Sequence, residues 1–237
     1  MKRFWTDATV AAAEGGLTIL LDDKPMRVPG GPPLVLRHPA LADAVAAEWR
    51  GAGGGKGGEM SMDDVPLTRL AGTAQERIAP DPAPVADAIA RYGETDLLCY
   101  RAEHPPELAL RQTRAWQPWL DWAERTYGAR LRPTTGIVHV SQDPAALAAL
   151  RHAVAIQSPD ALAALGIAVP TLGSLVLGLA LAEGALDAGM ADTLANLDEA
   201  FQAGQWGEDA GAVARRTQMA ADLAIAERFL RLSRGLP

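Results

Sequence analysis

The chain has 237 residues, of which 22 are Lys or Arg and 29 are Asp or Glu, so its formal net charge is −7. This length buries a hydrophobic core without metals or disulfides, and a hydrophobic fraction of 49% excludes disordered, collagen-like and coiled-coil classes. The acidic balance disfavours nucleic acids as partners, because neutralising phosphates needs a basic surface. The single cysteine, Cys99, cannot form an internal disulfide, which is typical of a reducing compartment.

The first forty residues predict short β-strands followed by a helix. Apolar runs at 10–14, 17–21, 26–28 and 34–36 alternate with turn residues, which is the pattern of an antiparallel meander. After Pro39, residues Leu41, Val45 and Trp49 recur every four positions and therefore share one helix face. We expect this helix to cover the sheet.

A glycine-rich run at 51–58 predicts a flexible linker. We place a domain boundary there, between a β-rich N-terminal domain at 1–60 and a helical C-terminal domain at 61–237. Two extended runs, 96–101 and 137–140, are candidates for additional strands of the N-terminal sheet. The predicted fold class is α+β: a small antiparallel β-rich domain with a covering helix, followed by a larger orthogonal all-α bundle.

The stretch from Leu162 to Ala182 is uncharged and long enough to span a bilayer. Pro170 is expected to divide it into two pieces, and its flanks are acidic rather than basic. The first nine residues lack the apolar core of a signal peptide. We therefore predict a buried central helix, no membrane insertion and a cytoplasmic location.

Motifs for catalysis or metal binding are weak. The loop around Lys56 lacks the spacing of a phosphate-binding loop, and Ser174 lacks the second glycine of a nucleophile elbow. The histidines have no zinc-binding spacing; they are His38, His104, His139 and His152. We predict no metal, no cofactor and a buried Cys99. The alternative is a small cytoplasmic enzyme with a site assembled from scattered residues, for instance Arg69, Asp96 and His139.

Three of the six tryptophans lie beside charged residues, namely Trp5, Trp49 and Trp206. Tryptophan beside a carboxylate is typical of protein interfaces, and also of half-buried rings whose N–H bonds locally. For Trp206 both interpretations stay open, whereas Trp116, Trp119 and Trp122 are predicted core residues. Residues 152–214 contain no Lys or Arg, and their acidic residues are Asp160, Glu183, Asp187, Asp192, Asp198, Glu199, Glu208 and Asp209.

Short motifs in a fixed order connect the chain to a known family. They are Arg3-Phe4-Trp5, Ala47-Glu48-Trp49, Val65-Pro66-Leu67-Thr68-Arg69-Leu70, Thr95-Asp96-Leu97-Leu98-Cys99-Tyr100-Arg101-Ala102, Gly173-Ser174-Leu175, Asp198-Glu199 with Phe201-Gln202, and Trp206-Gly207. Together they resemble the assembly chaperones that protect the alpha subunit of F-type ATP synthase, over nearly the whole chain. The glycine-rich run departs from the shorter polar connector usual in that family.

The resemblance implies a holding chaperone without catalysis, found in bacteria and in the mitochondrial matrix, whose partner is the free alpha subunit. It also implies that an acidic residue before Phe201-Gln202 is functional, which is Glu199 or Asp198. We add Trp206 and Asp209 as partner-binding candidates and expect a monomer. Structural roles are assigned to Trp49, Trp5, Asp96, Tyr100, Arg101 and Gly173.

Overall fold

The computed structural model describes residues 1–27 and 31–236, and it begins with a small antiparallel sheet. Strands β1 (Ala8–Ala13), β2 (Gly16–Leu21) and β3 (Lys24–Pro25) lie in the order β1-β2-β3. A two-residue turn joins β1 to β2, and its second residue, Gly15, has a φ of 82° that favours glycine. Val28, at the end of the predicted third strand, lies outside the described residues.

Helix α1 (Pro39–Gly51) packs on β1 and β2 and buries Leu41, Val45 and Trp49. The predicted covering helix and its apolar face are therefore confirmed. Leu36 forms an isolated antiparallel bridge with Leu17 and extends the pairing of β2. The short run predicted at 34–36 thus joins the sheet through this bridge, and Leu34 N–H donates to the Met26 carbonyl at 3.2 Å.

The chain beyond the sheet is mainly helical, which confirms the mixed α+β class. A π-helical turn, Ala74–Ile78, prolongs α2, and short 3-10 turns occupy Met62–Asp64, Arg91–Thr95 and Leu97–Cys99. The α-helices are α2 (Pro66–Thr73), α3 (Ala83–Ala90), α4 (Pro106–Tyr127), α5 (Pro144–Ala155), α6 (Pro159–Leu172), α7 (Leu175–Ala182), α8 (Ala188–Ala195), α9 (Leu197–Trp206) and α10 (Ala210–Ser233).

Two compact units divide the chain, and each is discontinuous in sequence. The first comprises Met1–Pro82, Ser158–Ala164 and Arg228–Pro237, and the second comprises Ala83–Gln157 and Leu165–Glu227. The glycine-rich run lies in the first unit, where Arg3 N–H donates to the Gly58 carbonyl at 2.9 Å and Gly57 N–H donates to the Arg3 carbonyl at 2.8 Å. The domain boundary near residue 60 stays a prediction.

Strand β4 (Tyr100–Arg101) pairs in parallel with β5 (Thr134–Thr135). These strands form a separate two-stranded sheet, so the expectation that 96–101 extends the N-terminal sheet is wrong. The strand expected at 137–140 does not form either, because the chain turns at Gly136, with a φ of 78°, directly after β5.

The apolar stretch 162–182 is interrupted at a different residue from the one expected. Helix α6 continues through Pro170, and the chain breaks at Gly173, whose φ is 60°. The Ser174 hydroxyl then accepts a hydrogen bond from Leu177 N–H at 3.1 Å and caps α7, which is buried along its whole length. Pro118 likewise lies inside α4 without ending it. In the described part of the chain, no helix has the length and apolar character needed to cross a membrane.

Candidate partner-binding surface

Helix α9 presents an exposed carboxylate in its first turn and an exposed tryptophan at its end. Leu197 is the one buried residue of this helix. Glu199 lies in the first turn, where the helix dipole favours a negative charge, and its side chain is exposed. Trp206 is the last residue of α9 and is 87% exposed. Gly207, with a φ of 87°, then turns the chain toward α10.

A groove of about 300 Å³ separates the end of α9 from the start of α10. Its walls include Glu199 and Trp206 on one side, and Arg215 and Arg216 on the other. Arg216 forms an ion pair with Glu208 at 2.6 Å. The remaining lining residues are Gln202, Ala203, Gly207, Glu208, Asp209 and Ala212. The groove therefore carries both signs of charge beside an apolar ring.

Sequence reasoning missed the two arginines of this groove. Arg215 and Arg216 directly follow the segment without Lys or Arg, and that segment by itself indicates a purely acidic surface. Both arginines lie at the start of α10 and close in sequence to Trp206, and this proximity could have indicated them as part of the same surface. Asp209 caps α10 by accepting a hydrogen bond from Ala212 N–H at 2.8 Å, so at least one of its oxygens already has a partner in the chain.

The adjacent pair Asp198 and Glu199 is separated by its contacts. Asp198 is half-buried and accepts a hydrogen bond from Gln112 Nε2 at 2.8 Å. Gln112 is itself buried on α4, where its Oε1 accepts from Ala102 N–H at 2.6 Å and its carbonyl accepts from Arg101 Nη1 at 3.0 Å. Asp198 thus anchors α9 to α4, while Glu199 points to solvent.

Arg101 and Tyr100 have partners inside the second unit. The Arg101 guanidinium lies 5.2 Å from the ring centroid of Trp116, and burial lowers the pKa of that guanidinium. The Tyr100 hydroxyl lies 3.2 Å from His139 Nδ1. Trp116 is fully buried, as predicted, but Trp119 and Trp122 are only half-buried because they lie at the edge of the buried face of α4.

Asp96 is fully buried and holds the start of α7. Its carboxylate accepts from the Ser174 hydroxyl at 2.8 Å, from Val176 N–H at 2.9 Å and from Leu98 N–H at 3.0 Å. Burial raises the pKa of Asp96 to about 6, although these hydrogen bonds act in the opposite direction. The Gly173 carbonyl accepts from Leu97 N–H at 2.9 Å, so two of the motifs meet here.

Trp5 and Trp49 form a bonded pair in the first unit, with ring centroids 4.9 Å apart. The Trp5 indole N–H donates to the Trp49 carbonyl at 2.9 Å, and the Trp49 indole N–H donates to the Thr68 hydroxyl at 2.9 Å. The Glu48 carboxylate accepts from the N–H groups of Leu67 and Thr68 at 2.7 and 3.0 Å, which caps α2 from a neighbouring helix. Burial raises the pKa of Glu48.

The residues of the alternative enzymatic site each have separate partners. Arg69 pairs with Asp63 at 2.5 Å, His139 lies against Tyr100, and Asp96 bonds to the start of α7. Cys99 is buried as predicted, and burial raises the pKa of its thiol to about 12, which disfavours the nucleophilic thiolate. Within residues 1–27 and 31–236, no three His, Cys, Asp or Glu side chains are grouped to hold a metal ion.

An exposed tryptophan beside carboxylates and arginines is typical of proteins that bind other proteins. Residues 2–124 match the family model described as ATP12 chaperone protein. The chain belongs to this ATP12 chaperone family. The family predicted from the sequence motifs is therefore confirmed, and the coarse function is that of a chaperone.

Solved structures agree with this assignment over almost the whole chain. The crystal structure of Atp12 from Paracoccus denitrificans has a TM-score of 0.91 and 41% identity, covering 98% of each chain. An aspartate-to-lysine mutant of the Atp12p of the same bacterium has a TM-score of 0.91 and 40% identity, covering 98% of this chain and 97% of that chain. The Atu1473 protein from Agrobacterium tumefaciens has a TM-score of 0.90 and 42% identity, covering 98% of this chain and 85% of that chain.

Proposed function

We propose that this chaperone binds the free alpha subunit of F-type ATP synthase and prevents its aggregation until it assembles with the beta subunit. The observation that supports the proposal most is membership of the ATP12 family, with 41% identity to Atp12 over 98% of the chain. In this proposal the protein acts as a monomer in the bacterial cytoplasm, without catalysis or a cofactor.

The exposed surface of α9 has the properties that such a function needs. A holding chaperone has to release its client, so its contacts combine a limited apolar area with charge complementarity. Trp206 offers an exposed aromatic ring, and Glu199 offers a carboxylate that is also exposed. We assign the direct contacts to these two residues.

Asp198 and Asp209 have a different part in the proposal. Asp198 is bonded to Gln112 and fixes the position of α9, and Asp209 caps α10. Both residues therefore act as positioning residues that hold the two walls of the groove, while Glu199 and Trp206 meet the client.

Co-expression tests the proposal directly. The chain is expressed with the alpha subunit of its own ATP synthase, and the soluble fraction is separated by size exclusion before purified beta subunit is added. We expect a soluble complex with alpha that dissociates when beta is added. Alpha that aggregates in the presence of the folded chain, with no complex eluting, would contradict the proposed function.

A matched variant locates the contact. Trp206→Ala removes the exposed ring, whereas Phe4→Ala removes another exposed ring, 59% accessible, in the first unit. We expect less co-eluting alpha with Trp206→Ala and an unchanged amount with Phe4→Ala. Equal recovery with both variants would move the contact away from the end of α9.

A further inference from the structure

The two edges of the N-terminal sheet are protected very differently. The β3 edge is two residues long and consists of Lys24 and Pro25, the residue types that block pairing with another chain. The β1 edge is six residues long, with the sequence ATVAAA, and contains neither proline nor charge. Thr9 and Ala12 are exposed on it, and Val10 is half-buried.

The register shows which backbone groups of β1 face outward. Ala12 lies opposite Leu17, and Val10 lies opposite Ile19. Leu17 exchanges hydrogen bonds with Leu36 on the other side of β2, and the Ile19 carbonyl accepts from Met26 there. Since the direction of bonding alternates along an antiparallel pair, Val10 and Ala12 direct their N–H and C=O groups away from β2. Among the described residues, these outward groups have no hydrogen-bond partner.

Acidic residues flank this open edge and decide what pairs with it. Asp7 precedes β1 and Glu14 follows it, and both are exposed. A second copy of β1 can pair antiparallel only in registers that place outward-facing residues opposite one another, for instance Val10 opposite Val10. In that register Asp7 lies opposite Ala13 and Glu14 lies opposite Thr6 of the copy, so neither carboxylate meets a basic residue. A segment with basic ends therefore pairs with this edge more favourably than a second copy does.

We propose that β1 is a docking edge, to which the client protein adds an extended segment that carries Lys or Arg at its ends. Outward N–H and C=O groups of Val10 and Ala12 supply the main-chain hydrogen bonds, and Asp7 and Glu14 supply the charge complementarity. The inference rests on the proposed function in one respect, since it takes this client to be the alpha subunit.

A short synthetic peptide of alternating Thr and Val, with Lys at both ends, tests the docking edge without any client. The same peptide with Glu at both ends is the charge control. We expect the Lys-ended peptide to bind, to slow hydrogen exchange at the Val10 and Ala12 amides, and to bind at least about tenfold more tightly than the Glu-ended peptide.

Two substitutions at Ala12 distinguish the loss of a backbone hydrogen bond from the effect of a larger side chain. Ala12→Pro removes an outward N–H and leaves the β1–β2 hydrogen bonds intact, whereas Ala12→Thr keeps the N–H and adds similar bulk. We expect Ala12→Pro to weaken peptide binding about tenfold and Ala12→Thr to leave it unchanged. Thermal unfolding checks that both variants are folded.

Glu14→Lys provides a test that does not depend on Ala12→Pro folding. This variant replaces one acidic end of the edge by a basic one, so we expect weaker binding of the Lys-ended peptide and tighter binding of the Glu-ended peptide. The docking edge is overturned if the Lys-ended peptide leaves the Val10 and Ala12 amides unprotected from hydrogen exchange, or if Glu14→Lys leaves the preference for the Lys-ended peptide unchanged. If the peptide binds but the chain does not capture the alpha subunit, the proposed function is overturned and the docking edge is not. If the chain captures the alpha subunit and Ala12→Pro does not weaken that complex, the docked segment does not come from the alpha subunit.

Discussion

Trp49 and Trp206 both lie beside charged residues in the sequence, yet they occupy opposite environments. Trp49 is 4% exposed and its indole N–H is bonded to Thr68, whereas Trp206 is 87% exposed. Helix α1 buries five residues on one face, and Trp49 is one of them; α9 buries only Leu197. The difference teaches that local charge does not decide the role of a tryptophan. The extent of the buried face of its helix does.

Among the tests of this contrast, Trp49→Arg has the largest expected effect on stability. The change places a charge in a buried site and removes the hydrogen bond to Thr68, and we expect it to lower the free energy of unfolding by about 3–5 kcal/mol. Urea unfolding and thermal unfolding measure the loss. Trp206→Arg is the matched control, for which we expect a change within about 0.5 kcal/mol. Equal stability of the two variants would show that Trp49 has no structural role.

Asp96 extends the comparison to carboxylates and predicts a dependence on pH. Its pKa in the folded protein is about 6, compared with about 3.9 in an unfolded chain. Between these values the folded state binds more protons, so the contribution of Asp96 to stability decreases as the pH rises from about 4 to about 6, by about 3 kcal/mol.

Asp96→Asn isolates this contribution because the amide does not titrate. We expect the stability of the wild type, measured relative to Asp96→Asn by urea unfolding, to fall as the pH increases through this window. A constant difference across the window would mean that Asp96 is ionised throughout and that burial does not raise its pKa.

Glu48 provides a smaller test in the buried region. Glu48→Ala leaves the N–H groups of Leu67 and Thr68 without their acceptor, and we expect a loss of about 1–2 kcal/mol in the free energy of unfolding. Asp43→Ala, an exposed acid on the same helix, is the control and is expected to change stability far less. Comparable losses for the two variants would rule out the capping role of Glu48.

The sequence was informative wherever structure depends on near neighbours. The β1–β2 hairpin and the apolar face of α1 follow from turn chemistry and periodicity. Pro170 misled because α6 continues through it, and Pro118 is accommodated inside α4 in the same way. Helix propensity is a local quantity, and tertiary packing overrides it.

Contacts between distant residues could not be predicted in this way. Asp198 bonds to Gln112, 86 positions earlier in the chain, and nothing in the spacing of either residue indicates that pairing. Sequence reasoning therefore treats Asp198 and Glu199 as an adjacent acidic pair, without a distinction between its members. Arg101 stacking on Trp116 and the meeting of Asp96 with Ser174 are contacts of the same kind, between residues that are not near neighbours in the chain.

Glu199→Lys is expected to have the smallest effect on stability and sharpens the contrast within the acidic pair. Glu199 is exposed, so the free energy of unfolding should change within about 0.5 kcal/mol, while affinity for the alpha subunit falls about tenfold. Asp43→Lys carries the same charge change on α1 and should bind alpha normally. Asp198→Ala should instead cost about 1–3 kcal/mol, because it leaves the buried Gln112 amide without its acceptor. If Glu199→Lys destabilises the chain as much as Asp198→Ala does, Glu199 belongs to the framework of α9 and the client contact lies elsewhere.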